Sequence, residues 1–284
     1  MPEGPEVLKI TKRLDNSISG SKIVDIKINK GRYTKVLPKN FDNFMGLLPL
    51  NIKSINCYGK FIWWEFYNDN GEIEYTLWNT LGMTGYWTLE KKLKHNNITF
   101  KLSNGQEVSF NDYRNFGTIM FCTKEKLQKK ISNFGPDILF FEKNNTIVKQ
   151  SKNNIDDGLD KFKQKLEKKR SDTTIASALL DQKVAAGCGN YLRAEALYLS
   201  KIHPFKTIGE ISSNDITKLW RTLRQLAFNY YNRKIGEKLG IIDGTIKFAN
   251  DYNRIFLVYQ QKTDINGKSI KKEKLNGRTI HYVE

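Results

Sequence analysis

The stretch EKNNTIVKQSKNNIDDG, residues 142–158, is polar, lacks apolar periodicity and separates two halves of different character. On its N-terminal side, from about residue 22 to 123, short runs alternate apolar and polar residues between glycine-marked turns. Ile98-Thr-Phe-Lys-Leu alternates, Asn104-Gly105 supplies a tight turn, and Val108-Ser-Phe alternates back. YGKFIWWEF (58–66), YTLWNTLGMTGYWTL (75–89) and FGTIMF (116–121) continue the pattern, so this half reads as mostly antiparallel sheet. Ahead of it, Pro5 suits the first turn of a helix, and Val7, Ile10, Leu14 and Ile18 form one apolar stripe.

On the C-terminal side helices follow. Phe162 and Leu166 fall in a lysine-rich stretch, and Thr174 stands as a cap before IASALLDQ. A glycine-punctuated break, AAGCGN (185–190), precedes YLRAEALYLSKI (191–202), and a longer helix is predicted from about Ser213 to Arg233. From about 254 strands return as RIFLVYQ (254–260), the turn NGKS (266–269) and RTIHYVE (278–284). The expected class is α+β: a β-rich half, a linker, a helical half and a terminal hairpin.

The chain has 284 residues, enough for two packed units, and 39% hydrophobic content supports a core. MPEGPEV is not a secretory signal, and no apolar run approaches the ~18 residues of a membrane span. A soluble, intracellular protein is expected. Forty-seven basic against thirty acidic residues give a net charge of +17, which favours polyanionic partners through counterion release. Nucleic acid is the leading class, because no basic amphipathic anchor for anionic membranes stands out. Three cysteines (Cys57, Cys122, Cys188) and three histidines are scattered, so neither a disulfide framework nor a structural zinc cluster is expected.

If Met1 is removed, Pro2 becomes a terminal secondary amine. An α-amino group titrates near ~7.7–8.0, which leaves a useful neutral fraction for attack on a sugar C1′ and formation of an iminium ion. A proline after Met1 is common and decides nothing alone. Glu3 beside it can move protons, and Glu6 lies one helical turn further on.

The wider pattern resembles the formamidopyrimidine-DNA glycosylase and endonuclease VIII (Fpg/Nei) family. PEGPEV opens the chain; GKF around Lys60, LGMTG (81–85), DYRNFG (112–117), GPDIL (135–139) and LLDQKVAAGCGNYLRAEALYLSKIHP (179–204) follow in order. The last block is similar to the family's helix–two-turns–helix DNA-binding element, and GNYLRAE is closest to the Nei-like enzymes. The resemblance implies an N-terminal β-sandwich catalytic domain (1–145) with flanking helices and a linker (146–160). It further implies a helix–two-turns–helix domain (161–250) and a finger hairpin (251–284).

The same resemblance assigns roles. Pro2 would be the nucleophile, Glu3 the general acid and base around the sugar, and Glu6 an organiser of the sugar pocket. Lys60 would clamp phosphate beside the lesion, and Asn190 would join helix-terminal N–H groups in holding backbone phosphate. Met83, Arg114 and Phe116 would fill the space left by the flipped base as apolar wedge, cation and stacking ring. Many members end in a four-cysteine zinc finger. Here VYQQKTDINGK (258–268) and GRTIHYVE (277–284) carry no cysteine pair, yet Arg278 is kept, as in a zincless finger that delivers this cation to phosphate.

The implied activity is excision of oxidised bases from damaged DNA, chiefly pyrimidines, followed by β- and δ-elimination, by a monomer without metal or cofactor. Duplex against single-strand preference stays open, and the 239–253 stretch is expected to border the flipped base. Two alternatives remain: a DNA-binding protein of the same fold without catalysis, and a basic RNA-binding protein.

Overall fold

The structure is a computed structural model that describes residues 2–90, 94–143, 146–149, 155–234, 236–242, 245–249 and 254–284. Its contacts divide the chain into two compact units: Met1–Pro2 with Glu6–Asn133, and Glu3–Pro5 with Phe134–Glu284.

In the first unit, helix α1 (Gly4–Ile18) presents the expected stripe, with Val7, Leu14 and Ile18 buried and Ile10 half-buried. Eight strands follow: β1 (Lys22–Ile28), β2 (Leu50–Tyr58), β3 (Phe61–Asn68), β4 (Gly71–Thr80), β5 (Tyr86–Thr88), β6 (Asn96–Leu102), β7 (Glu107–Asn111) and β8 (Thr118–Thr123). They form one antiparallel sheet in the order β5-β7-β6-β1-β2-β3-β4-β8. Helices α2 (Phe41–Met45) and α3 (Lys124–Ser132) flank it.

The sheet rolls over its own core. β3 and β5 stand five places apart in strand order, which in a flat sheet is about 24 Å. Yet the rings of Trp64 on β3 and Trp87 on β5 lie 4.7 Å apart. Trp64 also meets Phe100 of β6 at 5.4 Å, and the Trp87 indole donates to Asn79 of β4 at 3.1 Å. The expected sandwich is therefore one continuous sheet folded face to face, filled by aromatic rings that bury large apolar area.

In the second unit, α4 (Leu159–Glu167), α5 (Ile175–Leu180), α6 (Asn190–Ser200) and α7 (Ser213–Asn232) follow the predicted pattern closely, with Phe162 and Leu166 buried. Thr174 occupies the N-cap of α5, but its hydroxyl pairs with Ser177 at 2.7 Å and caps no N–H. Helix α7 starts with a true cap, the Ser212 hydroxyl accepting from Asp215 N–H at 3.1 Å.

Two expectations need correction. The 142–158 stretch is not all linker, because β9 (Phe140–Lys143) pairs with β10 (Thr146–Lys149). Moreover, the units part at Asn133/Phe134, whereas composition placed the change at 142–158 and the family resemblance at 145. The GPDIL block explains this: Gly135 N–H donates to Gln182 O at 3.0 Å, and Ile138 N–H and Ala186 O pair at 3.1 Å. Backbone hydrogen bonding, which composition does not register, ties it to the second unit.

The terminal hairpin also differs. RIFLVYQ is not a strand. The hairpin is β13 (Lys271–Leu275) with β14 (Arg278–Tyr282), joined by Asn276-Gly277. Both turn residues have positive φ, 49° and 73°, as a tight two-residue hairpin turn requires. NGKS is a turn within the preceding loop, closed by Asp264 N–H to Lys268 O at 2.8 Å. Of the 239–253 stretch, β11 (Lys238–Ile242) pairs with β12 (Thr245–Ala249), while 243–244 and 250–253 lie outside the described residues.

Candidate functional site

In the second unit, the start of α6 gathers several of the singled-out residues. Glu3 is almost fully buried, 1% exposed, and its carboxylate accepts from the N–H groups of Tyr191 at 2.9 Å and Leu192 at 3.2 Å. These are orphan donors of the first turn of α6, at the positive end of its dipole, a setting that favours negative charge. Glu3 is thus a helix cap supplied from the far end of the chain. Two of the helix-terminal N–H groups expected to join Asn190 in holding phosphate donate to Glu3 in this structure.

The peptide carrying Glu3 is pinned by its neighbour. Gly4 N–H donates to Gly187 O at 2.9 Å. A Cβ on Gly4 would stand 3.2 Å from Gly187 Cα and 3.3 Å from Ile138 Cδ1, a close approach in which any side chain would make the facing loop give by a few tenths of an ångström. Gln182 holds the facing loop from within. It accepts from Gly187 N–H and donates to Cys188 O, both at 2.9 Å.

Asn190, the first residue of α6, donates through Nδ2 to Thr279 O at 2.9 Å, tying α6 to β14 beside Arg278. Arg193, one turn on, is fully buried; it donates to Asn190 Oδ1 at 2.5 Å and Ala176 O at 3.2 Å. Burial pulls its pKa down to about 10, opposed by Cys188 and Glu3 and reinforced by Arg278. It remains a cation at neutral pH. Arg278 opens β14 directly after the turn and is exposed, while Asn276 Nδ2 anchors that turn to Ser177 Oγ at 2.9 Å.

A second buried charge of α6 holds the root of the hairpin. The Glu195 carboxylate accepts from Leu257, Val258 and Tyr259 N–H groups at 2.7, 2.9 and 2.8 Å. Burial pushes its pKa up to about 7, against the pull of these three donors. This carboxylate, not strand pairing, organises the apolar run that reads as a strand. Among the described residues no group of three or more His, Cys, Asp or Glu is placed to hold a metal ion, and the three cysteines are buried and form no disulfide.

In the first unit, Met83, Arg114 and Phe116 come together on two interlocked loops. Asp112, 1% exposed, accepts from Thr84 Oγ1 at 2.5 Å and from Gly117 N–H at 2.7 Å. Arg114 N–H donates to Thr84 Oγ1 at 3.1 Å, and a Cβ on Gly82 would fall 2.7 Å from Gly117 N. Arg114 is exposed, Phe116 is 53% exposed, and the Arg114 guanidinium stacks 4.8 Å from the Phe116 ring. Met83 is half-buried in its turn, so neither it nor Phe116 is a core residue.

Lys60 stands in the tight β2–β3 turn after Gly59 (φ 57°), not within a strand, and is half-buried. Glu6 lies in the first turn of α1 and Pro2 is half-buried, while Met1 lies outside the described residues. Sequence reasoning passed over Arg193, Glu195 and Asp112. The available signal was two charges inside GNYLRAEALYL, on a helix whose other residues are almost all apolar.

Comparison with known proteins places these geometries. Residues 1–119 match the formamidopyrimidine-DNA glycosylase N-terminal domain, and 152–228 match the formamidopyrimidine-DNA glycosylase H2TH domain. A formamidopyrimidine-DNA glycosylase of Oceanobacillus iheyensis is 32% identical over 226 residues, 77% of this chain and 72% of that one. One from Listeria innocua is 26% identical over 300 residues, 99% of this chain and 98% of that one. Among solved structures, Lactococcus lactis Fpg (MutM) in complex with an oxidised-pyrimidine-containing DNA superposes with TM-score 0.75 at 25% identity, covering 99% and 98% of the two chains. The same enzyme bound to DNA containing an abasic site gives TM-score 0.76 over 99% and 97%. With both domains matched in order and a relative above 30% identity over most of its length, the chain belongs to the formamidopyrimidine-DNA glycosylase family.

Proposed function

We propose that this protein is a DNA glycosylase with abasic-site lyase activity, with the Pro2 amine as nucleophile once Met1 is removed. The observation that carries this reading is the position of Glu3. It follows Pro2 directly and is fixed at the start of α6, where Asn190 and the strand of Arg278 also meet. A nucleophile's neighbouring carboxylate is thereby held in one place by the fold, as proton transfer requires.

In the proposed reaction the Pro2 nitrogen attacks C1′, the glycosidic bond breaks and the base leaves with a proton routed through Glu3. The Pro2 nitrogen then loses its proton as the C1′–O4′ bond opens and O4′ is protonated, which gives an iminium that acidifies C2′. Loss of a C2′ proton expels the 3′ phosphate, and a second elimination expels the 5′ phosphate. Lys60 and Arg278 steady the phosphates as point charge and fork, Glu6 orders the sugar pocket, and Met83, Arg114 and Phe116 occupy the duplex after flipping. The N-terminal unit, to Asn133 rather than the expected 145, would supply the catalytic domain and residues 161–250 the DNA-binding domain, in a monomer.

Oxidised pyrimidines are the leading substrate class. The GNYLRAE wording supports this, as does the DNA bound to the L. lactis relative. Within the family the chain is assigned to the Nei-like branch with a zincless finger. Glu195 and the packing of Val258, Ile280 and Tyr282, all buried, hold the hairpin in place of a metal. Prolonged chelation should leave activity intact, and one tightly bound zinc per chain would overturn the assignment. No helix among the described residues is long and apolar enough to cross a membrane.

Borohydride trapping on an abasic oligonucleotide tests the central claim. The processed enzyme should form a covalent adduct, and a variant that retains Met1 should form none. An undiminished adduct with the amine blocked would move the nucleophile to a lysine. No adduct from the processed enzyme would favour a DNA-binding protein without catalysis.

A further inference from the structure

Between Arg114 and Phe116 sits Asn115, in the left-handed region at φ 55°. Most side chains resist that conformation, whereas asparagine tolerates it, and here it separates two exposed neighbours by a residue that turns inward. The Asn115 Oδ1 accepts from Asn97 Nδ2 at 2.6 Å, and Asn97 is itself only 3% exposed. Asn97 is fixed in turn, since its carbonyl accepts from the N–H groups of Asn29 and Lys30 at 2.8 and 3.3 Å.

The chain after β1 closes over this pair. A Cβ on Gly31 (φ 76°) would fall 2.2 Å from Asn115 Oδ1 and 2.6 Å from Asn97 Nδ2. Three separate features, an αL asparagine, a buried amide partner and a glycine with no room for a side chain, converge on one hydrogen bond. Asn97 is buried, and Asn115 is half-buried between the exposed Arg114 and Phe116.

We propose that Asn115, bridged to Asn97, is a positioning residue that presets the loop for entry into the duplex. This rests on the void-filling reading of Arg114 and Phe116. The bridge orders the loop before DNA arrives, so the ordering cost is not charged against base flipping. Its effect belongs to duplex substrates, where the orphaned partner base must be held.

The test is a double-mutant cycle on Asn115→Gly and Asn97→Ala, reading the ratio of single-turnover excision from duplex over single-stranded DNA carrying the same lesion. Glycine keeps the αL backbone and removes the bridge but adds backbone freedom, so Asn97→Ala, which leaves the loop backbone unaltered, is the control for the bridge itself. Asn115→Gly should lower the ratio by about tenfold, the scale of one positioning hydrogen bond, with a matching delay in 2-aminopurine flipping fluorescence. Asn97→Ala should do the same and the double variant should add little. A ratio within about twofold of wild type in Asn115→Gly, while Arg114→Ala lowers it, overturns the proposal but spares the void-filling reading. If Arg114→Ala also leaves the ratio unchanged, both fall. Additive losses in the cycle would mean the two asparagines act separately.

Discussion

The two units mount their polar groups in opposite ways. In the sheet unit Arg114 and Phe116 stand exposed at a loop tip, and the polar network beneath them is neutral except for Asp112. In the helical unit Glu3, Arg193 and Glu195 are buried, the two carboxylates held by backbone N–H groups of another segment and the guanidinium by Asn190 Oδ1 and Ala176 O. The first arrangement lets side chains change at little cost to the fold. The second ties those groups to the fold, because a buried charge that loses its partner is expensive.

The largest test of that contrast is Glu3→Gln. Loss of the proton carrier should reduce base removal by about 10²–10⁴-fold in single-turnover assays. The amide oxygen can still accept from one of the two α6 N–H groups, so thermal stability should fall only modestly. Glu3→Ala should lose the cap as well, for about a further 1 kcal/mol of stability. If Glu3→Gln weakens DNA binding as much as chemistry, Glu3 is a cap and nothing more.

Next comes the arginine pair at the foot of the hairpin. Arg193→Met strands buried acceptors on Ala176 and Asn190 and should cost about 3 kcal/mol in denaturant unfolding. Arg278→Ala should leave the unfolding midpoint unchanged and lower excision by about 10- to 100-fold, as loss of a charged phosphate contact would. Equal stability losses in the two variants would erase the distinction between buried strut and exposed fork.

The smallest effect is in pH. The Glu195 carboxyl titrates higher folded (about 7) than its ordinary 4.5, so it binds its proton more tightly in the native state. Its contribution to stability is fully present below pH 4.5 and is lost as pH rises through 7. His281 works the other way: burial holds it below its ordinary 6.5, so its contribution is present above that value and lost as pH falls. Comparing unfolding of wild type and Glu195→Gln from pH 5 to 8 isolates the first effect. A wild-type decline that persists unchanged in the variant would remove Glu195 as its source.

Much of the fold was legible because periodicity and burial agree. Val7, Leu14 and Ile18, the Asn104-Gly105 hairpin and the start of α7 at Ser213 all follow local rules. The terminal hairpin was not legible. Two Asn-Gly dipeptides compete there, and the true turn, Asn276-Gly277, follows KKEKL, a strand exposed at four of five positions and therefore without alternation. RIFLVYQ misleads for the converse reason, since its apolar burial comes from Glu195 capturing three N–H groups. The trio proposed to fill the void, Met83, Arg114 and Phe116, was singled out by its wording. The amide bridge beneath it was not, because Asn97 and Asn115 are eighteen positions apart and meet only where β6 pairs with β7.

The three amides captured by Glu195 have a consequence for how this part of the molecule opens. One carboxylate on α6 closes backbone protons of 257–259 against solvent, so those protons can exchange with deuterium only when α6 itself lets go. The hairpin root and the helix should therefore exchange as one cooperative unit, with the same free energy of opening. The exposed strand β13, four of whose five residues face solvent, should label far earlier.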